Sequence, residues 1–212
     1  MEDNIAIIKN WLGSGSINIF GLPLSGKDTV GIKLAEALGG KYLSSGVILR
    51  AAEPTNQAVR DNLAIGLWAP TDQFYDLVLP YFDREDLNGL PLTLGAIGRW
   101  SGEEQTIINY AKSAGHEIKA AILLNISEAD IHARWEQLHI LQDRGTRTDD
   151  KDVKALNNRV NEFKTKTMPV IQTYRDLGIL IPVNADQSRE AVYTEVVQKL
   201  ADFALNTPVE QS

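Results

Sequence analysis

The sequence predicts an α/β protein, a three-layer sandwich in which a parallel, five-stranded sheet carries helices on both faces. Three observations predict it. Short apolar runs at residues 17–20, 90–94, 120–126 and 179–183 are each long enough for a buried strand and too short for a helix. Between them lie stretches with helical spacing, at 27–38, 102–113, 128–142, 152–177 and 188–204, so strand and helix alternate as in a doubly wound parallel sheet. The first apolar run leads straight into a glycine-rich turn that opens a helix.

Taken in order, residues 5–12 read as a short amphipathic helix interrupted by Lys9 and preceded by Glu2 and Asp3, unlike the basic start and long apolar run of a signal peptide. In the stretch 27–38 the apolar residues Val30, Ile32, Leu34, Ala35 and Leu38 recur close to helical spacing, and Gly39 and Gly40 stop the helix. Residues 44–82 carry Pro54, Gly66, Pro70 and Pro80 among short helical pieces without a clear core strand, and read as a helical flap inserted beside the sheet. Residues 142–152 are polar, with Gly145 as their flexible point, and read as a short loop between two long helices. The tail, 206–212, is expected to fray. Neither a repeat nor an interdomain linker breaks the 212 residues, which are expected to form one domain.

Composition narrows the function. With 21 basic against 28 acidic residues the net charge is −7, which argues against a non-specific nucleic-acid binder while leaving room for a local cationic site. Absence of cysteine excludes disulfides and thiolate metal sites and suits a reducing cytoplasm. No window approaches the roughly 18 apolar residues of a membrane span. A soluble, cytoplasmic monomer without membrane or nucleic-acid partners is the expectation.

The chemistry concentrates in Gly21-Leu22-Pro23-Leu24-Ser25-Gly26-Lys27-Asp28-Thr29. Two glycines frame four residues and a lysine follows, between a predicted strand and a predicted helix, which is the pattern of a phosphate loop, or P-loop. Backbone N–H groups from Leu24, Ser25, Gly26, Lys27, Asp28 and Thr29 can curl around a phosphate, and the helix N-terminus adds positive potential. Lys27 then reaches the outer phosphates. Where a hydroxyl usually follows the lysine to hold magnesium, this chain has Asp28. The alternative is a plain strand-to-helix turn in which Asp28 favours the helix start. Such a loop does not by itself name a reaction.

At these residues the chain resembles the adenylate kinase family, the nucleoside-monophosphate kinases. That family opens with Gly-x-Pro-Gly-x-Gly-Lys-Gly-Thr, matched here at Gly21, Pro23, Gly26, Lys27 and Thr29. Its Ser-Thr-Gly-Asp-x-Leu-Arg segment is similar to Ser44-Ser45-Gly46-Val47-Ile48-Leu49-Arg50. Its Asp-Gly-Phe-Pro-Arg turn resembles Gly95-Ala96-Ile97-Gly98-Arg99 in the arginine alone. Its Arg-x-Asp-Asp matches Arg147-Thr148-Asp149-Asp150, and its Arg-x-x-Glu-Tyr and Thr-x-Pro resemble Arg159-Val160-Asn161-Glu162-Phe163 and Thr167-Met168-Pro169. The likeness runs from about residue 17 to residue 200, in a short-lid form without a zinc-bearing insert.

The resemblance implies a P-loop three-layer sandwich with a flap for the monophosphate at about 44–82 and a short lid at about 142–152. It implies transfer of a phosphoryl group from ATP, with Mg2+, to a nucleoside monophosphate, AMP foremost. Lys27 would grip the triphosphate, Arg50 and Arg99 the monophosphate, and Arg147 and Arg159 the migrating group. Arg134 would pack on the adenine of ATP, Ser45 would touch the monophosphate's sugar or base, and Gln105 would read that base, although it lies two residues further from Arg99 than the family spacing. Two family aspartates are absent, at Val47 and Gly95, and the stretch from Arg147 to Arg159 is one residue longer than in the family. Asp28 is the candidate carboxylate for magnesium in place of the one missing at Gly95. These departures leave two alternatives: a weakened, kinase-like nucleotide binder acting as a sensor or partner module, or a P-loop kinase for another small acceptor such as a sugar. Trp68, Trp100 and Trp135 read as packing or flap residues, and His116, His132 and His139 do not form a metal set.

Overall fold

The computed structural model describes residues 1–141 and 152–207. Helix α1 (Glu2–Leu12) leads to strand β1 (Ser16–Gly21), whose six residues are all buried, as expected of a central strand covered on both faces. Helix α2 (Lys27–Leu38) and strand β2 (Lys41–Ser44) follow. Helices α3 (Ser45–Ala52), α4 (Gln57–Ala64) and α5 (Thr71–Val78) come next, then strand β3 (Leu92–Gly95) and helix α6 (Glu103–Ser113). Strand β4 (Ile118–Asn125), helix α7 (Glu128–Leu141) and helix α8 (Val153–Glu162) lead into a π-helical turn (Phe163–Thr167). Helix α9 (Met168–Asp176), strand β5 (Leu180–Asn184) and helix α10 (Arg189–Asn206) complete the described chain.

The five strands are parallel throughout, in the order β2-β3-β1-β4-β5. The α/β sandwich expected from the sequence is therefore present. Alternation along β1 and β4 feeds two cores. Ile17, Ile19, Ala120, Ile122 and Leu124 face a layer made by α1, α2 and α10, through Ile8, Leu12, Val30, Leu34, Val196 and Leu200. Phe20, Ala121 and Leu123 face the opposite layer, with Ile107, Leu156, Val170 and Tyr174.

Four of the five strands coincide with apolar runs in the sequence; the fifth, β2, does not. It is four residues long, sits at the sheet edge and leaves Lys41 exposed, so it offers no apolar run to recognise. The helical reading of 44–82 holds for its secondary structure, with α3 starting one residue after β2 ends. The long helical stretch at 152–177 is one run interrupted by the π turn, which shifts the helical phase where Thr167 meets the site. The expected loop at 142–152 lies outside the described residues apart from Asp152, whose side chain caps α8 through the Lys154 N–H at 2.8 Å. The tail lies outside them from residue 208.

The segment of α3 to α5 is docked on α8. Asn158 donates to the Ile65 carbonyl at 2.8 Å, and Gly66, at φ 79°, lies so close to Ala155 that a Cβ would stand 2.3 Å from the Ala155 carbonyl oxygen. Gly66→Ala therefore meets both a clash with backbone and an unfavourable φ. It should cost more than about 1 kcal/mol, read as a fall in melting temperature of about 2–4 °C per kcal/mol. Amide exchange should accelerate in residues 57–82 and stay unchanged in β1 and β4. Unchanged exchange in 57–82 would show that this contact does not hold the segment down.

Candidate functional site

The site forms where the parallel strands end, the usual ligand position of an open α/β sheet. β1 closes at Gly21, where a Cβ would lie 2.5 Å from Ser25 Oγ, so the turn that brings Ser25 back under the strand requires glycine. The loop then passes Leu24 at φ 63° and Gly26 at φ 90° before α2 begins at Lys27. Leu24 stands where the family motif has glycine, and a left-handed non-glycine residue costs roughly 1–2 kcal/mol. Its side chain is 8 % exposed within the apolar core, and burying a leucine returns a comparable or larger amount, about 1.5–3 kcal/mol. Packing thus holds the strained conformation. The Ser25 hydroxyl is buried inside the loop without a hydrogen-bond partner among the described residues, which leaves polar capacity inside the loop.

Arg134, on α7, ties this loop down. It donates from Nη1 to the Leu24 carbonyl at 3.1 Å and from Nη2 to the Ala185 carbonyl at 2.7 Å, linking the loop to the segment after β5.

Four cations face one cleft beside the loop: Lys27, Arg50, Arg99 and Arg159. Arg99 is held at both its backbone and its side chain. Its carbonyl accepts from Thr167 Oγ1 at 3.0 Å, which is where the π turn presents its hydroxyl, and its guanidinium lies 4.7 Å from the centre of the Trp68 ring. Burial, then the like charges of Arg159 and Arg50, push Arg99 down to about 10, against the opposing pull of Glu103 and Asp28. Asn18, buried in β1, clamps the approach to Arg99 by donating to the Ile97 carbonyl at 2.8 Å and accepting from the Ile97 N–H at 3.2 Å. Glu103, 4 % exposed, accepts from the Trp100 N–H and from Thr71 Oγ1, both at 3.0 Å. Burial pushes its carboxyl up, and these hydrogen bonds and Arg99 oppose that shift.

Of the residues singled out in the sequence, Lys27, Asp28, Ser45, Arg50, Arg99 and Arg159 come together at the cleft. Leu24, Ser25 and Gly26 form the loop, and Arg134 holds it. Thr29 is exposed on α2. The Ser45 hydroxyl is buried and donates to the Ala96 carbonyl at 3.0 Å, which fixes the end of β3. Gln105 does not reach the cleft lining: it is exposed on α6 and donates to Asn109 Oδ1 at 3.0 Å. Glu103, four residues after Arg99, occupies the position at family spacing. Arg147 lies outside the described residues. Trp100 packs under Lys166, 3.9 Å from the ring centre, and Trp135 packs on the core, as expected. Among the described residues no three His, Asp or Glu side chains gather as a metal cluster, and no helix is long and apolar enough to cross a membrane.

Trp68, Thr167, Asn18 and Glu103 were not legible as site residues. For Asn18 a signal existed, since a polar residue inside an otherwise apolar strand needs a buried partner. The others become visible only once the sheet brings distant segments together.

No protein-family model matches the chain. In sequence it is similar to known adenylate kinases over most of its length. It is 25 % identical over 186 residues to an adenylate kinase of Thermus thermophilus, covering 85 % of this chain and 94 % of that protein. It is 26 % identical over 194 residues to adenylate kinase isoenzyme 1 of Caenorhabditis elegans, covering 86 % and 85 %. To an adenylate kinase of Chlamydia caviae it is 24 % identical over 210 residues, covering 84 % and 94 %.

Like charges held together suit the cleft to a polyanion. Inorganic pyrophosphate at about a hundred times its dissociation constant should stabilise the protein by about 2.7 kcal/mol, equivalent to about 5–10 °C at this size. The shift should shrink as salt screens the charges and should be small in Lys27→Met. A shift of equal size in Lys27→Met would place the anion elsewhere.

Proposed function

We propose, from its similarity to adenylate kinases over most of its length, that the chain is a nucleoside-monophosphate kinase of that family. It transfers the γ-phosphoryl of ATP to a nucleoside monophosphate, AMP foremost, giving two diphosphates. The observation that carries this reading is the convergence of Lys27, Arg50, Arg99 and Arg159 on one cleft beside the phosphate loop. A simple nucleotide binder needs the loop and its lysine; an anionic acceptor explains the further arginines.

In the reaction a phosphate oxygen of the monophosphate attacks the γ-phosphorus, the bond from that phosphorus to the bridging oxygen breaks, and ADP leaves. The protein's task is positioning and charge stabilisation. The loop N–H groups and Lys27 hold the triphosphate, and Arg134 lies by its outer side, where adenine would pack. Arg50 and Arg99 hold the acceptor's phosphate, with Ser45 close by. Arg159 meets the charge that builds on the migrating group, joined by Arg147 from the lid at about 142–152. The segment at about 44–82 acts as the monophosphate flap, and closing it excludes water from the transfer. Gln105 would join the base only by leaving its bond to Asn109.

Magnesium fits the donor set: Asp28 supplies a hard carboxylate oxygen at the cleft, and such an ion completes its shell with phosphate oxygens and water. When bound, the metal would supply positive charge to offset that of the phosphates. Asp28 would hold it from the protein side. The enzyme works on free nucleotides, as a cytoplasmic monomer, a placement supported by its cysteine-free, acidic composition.

A second reading, a slow or silent kinase that senses nucleotide, is favoured by one pair of observations: Gly95 carries no carboxylate, and Val47, at the other lost aspartate, is 55 % exposed. A coupled assay with each nucleoside monophosphate decides between them. Turnover with AMP above the other acceptors is the expected result, and the absence of turnover with all of them would overturn the nucleoside-monophosphate kinase reading. Lys27→Ala should lower kcat by about 100- to 1,000-fold, the scale of losing one preorganised donor. Arg50→Ala should chiefly raise the KM for the monophosphate, and Arg159→Ala should chiefly lower kcat. The reverse pattern would show these two roles to be exchanged.

A further inference from the structure

Two glycines and one phenol share a single volume beside the phosphate loop. Tyr42 lies on β2, paired with Thr93 of β3, two positions before the pairing of Ser44 with Gly95. A Cβ added at Gly95 would stand 2.1 Å from the Tyr42 hydroxyl oxygen and 2.8 Å from Cζ. A Cβ added at Gly31, in the middle of α2, would stand 2.3 Å from Tyr42 Cε2. Glycine within a helix costs about 1 kcal/mol against alanine, so Gly31 needs a reason, and the Tyr42 ring supplies it. Thr93 Oγ1, donating to the Gly31 carbonyl at 2.7 Å, fixes the helix over the same spot. The hydroxyl end of the ring then donates to Asp28 Oδ1 at 2.7 Å.

We propose that Tyr42 is a positioning residue for the metal–nucleotide: its ring occupies the space of the side chain missing at Gly95, and its hydroxyl holds the Asp28 carboxylate at the cleft. The inference rests on the reading of the cleft as an ATP site with Asp28 toward magnesium. The carboxylate absent from β3 is supplied from α2, and the residue that displaced it orients the replacement. Orientation matters because Lys27, Arg50 and Arg99 all lie on the same cleft. Tyr42 fixes one oxygen of the carboxylate among these cations, and with it the direction in which the carboxylate would meet the metal. With magnesium between them, the Asp28 charge and the triphosphate attract; without it they repel.

The experiment is calorimetric, without turnover: binding of ATP with magnesium and of ATP with chelator, to wild type, Tyr42→Phe, Asp28→Asn and the double variant. Wild type should prefer the magnesium form. Tyr42→Phe keeps the ring and should lower that preference by about tenfold, the scale of one hydrogen bond to a charged group. In the Asp28→Asn background the same change should have almost no effect. An equal preference in wild type and Tyr42→Phe overturns the proposal and leaves the ATP site intact. Failure of wild type to bind either form overturns the site itself and the proposal with it. A separate melting experiment tests the shared volume: Gly95→Ala should lower the melting temperature of wild type, and Tyr42→Ala should remove that penalty. A penalty of equal size in both backgrounds shows that the ring does not exclude a side chain at 95, and also overturns the proposal.

Discussion

Like-charge crowding at the end of the sheet is the constraint on which the rest of the site depends. A protein of net charge −7 brings Lys27, Arg50, Arg99 and Arg159 to one cleft, and burial first, then the like charges of Arg159 and Arg50, push Arg99 down to about 10. Cations so placed would turn outward to water unless their backbones and stems were fixed. Each support has an identifiable source. Asn18 reaches from β1 to the backbone before Arg99, Thr167 reaches from the π turn to its carbonyl, and the Trp68 face lies against its guanidinium. Glu103 adds the opposite charge from the first turn of α6. The helices on this side of the sheet thus serve as a frame for charge, and a phosphate group in the cleft relieves the repulsion that the frame maintains.

Legibility in the sequence followed how local each determinant is. The phosphate loop was readable because strand, turn, lysine and helix are contiguous, and Lys27 begins α2 as the motif demands. Arg50, Arg99 and Arg159 were readable through their resemblance to ordered family motifs, and the sheet brings them together. Strand β2 was not readable, because an edge strand of four residues has no apolar run to betray it. Nor was the exclusion of Gln105 from the cleft: helical phase from Gly102 buries Glu103 and turns Gln105 to solvent, and a residue count from Arg99 cannot supply that phase. Tyr42 escaped for the same reason as β2. Its meaning depends on Gly31 and Gly95, which lie 11 and 53 residues away and become neighbours only through the parallel pairing.

The departures from the family motif form pairs rather than isolated losses. Glycine at 24 is replaced by leucine, whose strained backbone is offset by its burial and whose carbonyl is held by Arg134. The aspartate at 95 is replaced by glycine, and the volume goes to Tyr42, which bonds an aspartate gained at 28. Counting lost motif residues one at a time therefore overstates the damage. A carboxylate contributed from the helix that starts the phosphate cradle sits at the same cleft as the cations, although it approaches from α2 rather than from β3.

The docked segment from α3 to α5 completes the same logic. Trp68 belongs to the segment between α4 and α5, yet it supports the guanidinium of Arg99 on the core side, while Ile65 and Gly66 in that segment rest on α8, the helix that carries Arg159. Thr71, at the start of α5, bonds Glu103, the acid that opposes the crowding around Arg99. Lifting the segment would therefore strip Arg99 of its aromatic support and Glu103 of a donor in one movement. Arg99 would gain solvent as it lost those contacts, and its charge would become easier to hold but less well aimed. Seating of this segment and placement of Arg99 at the cleft are thus physically one event, because the contacts that secure the first are those that build the second.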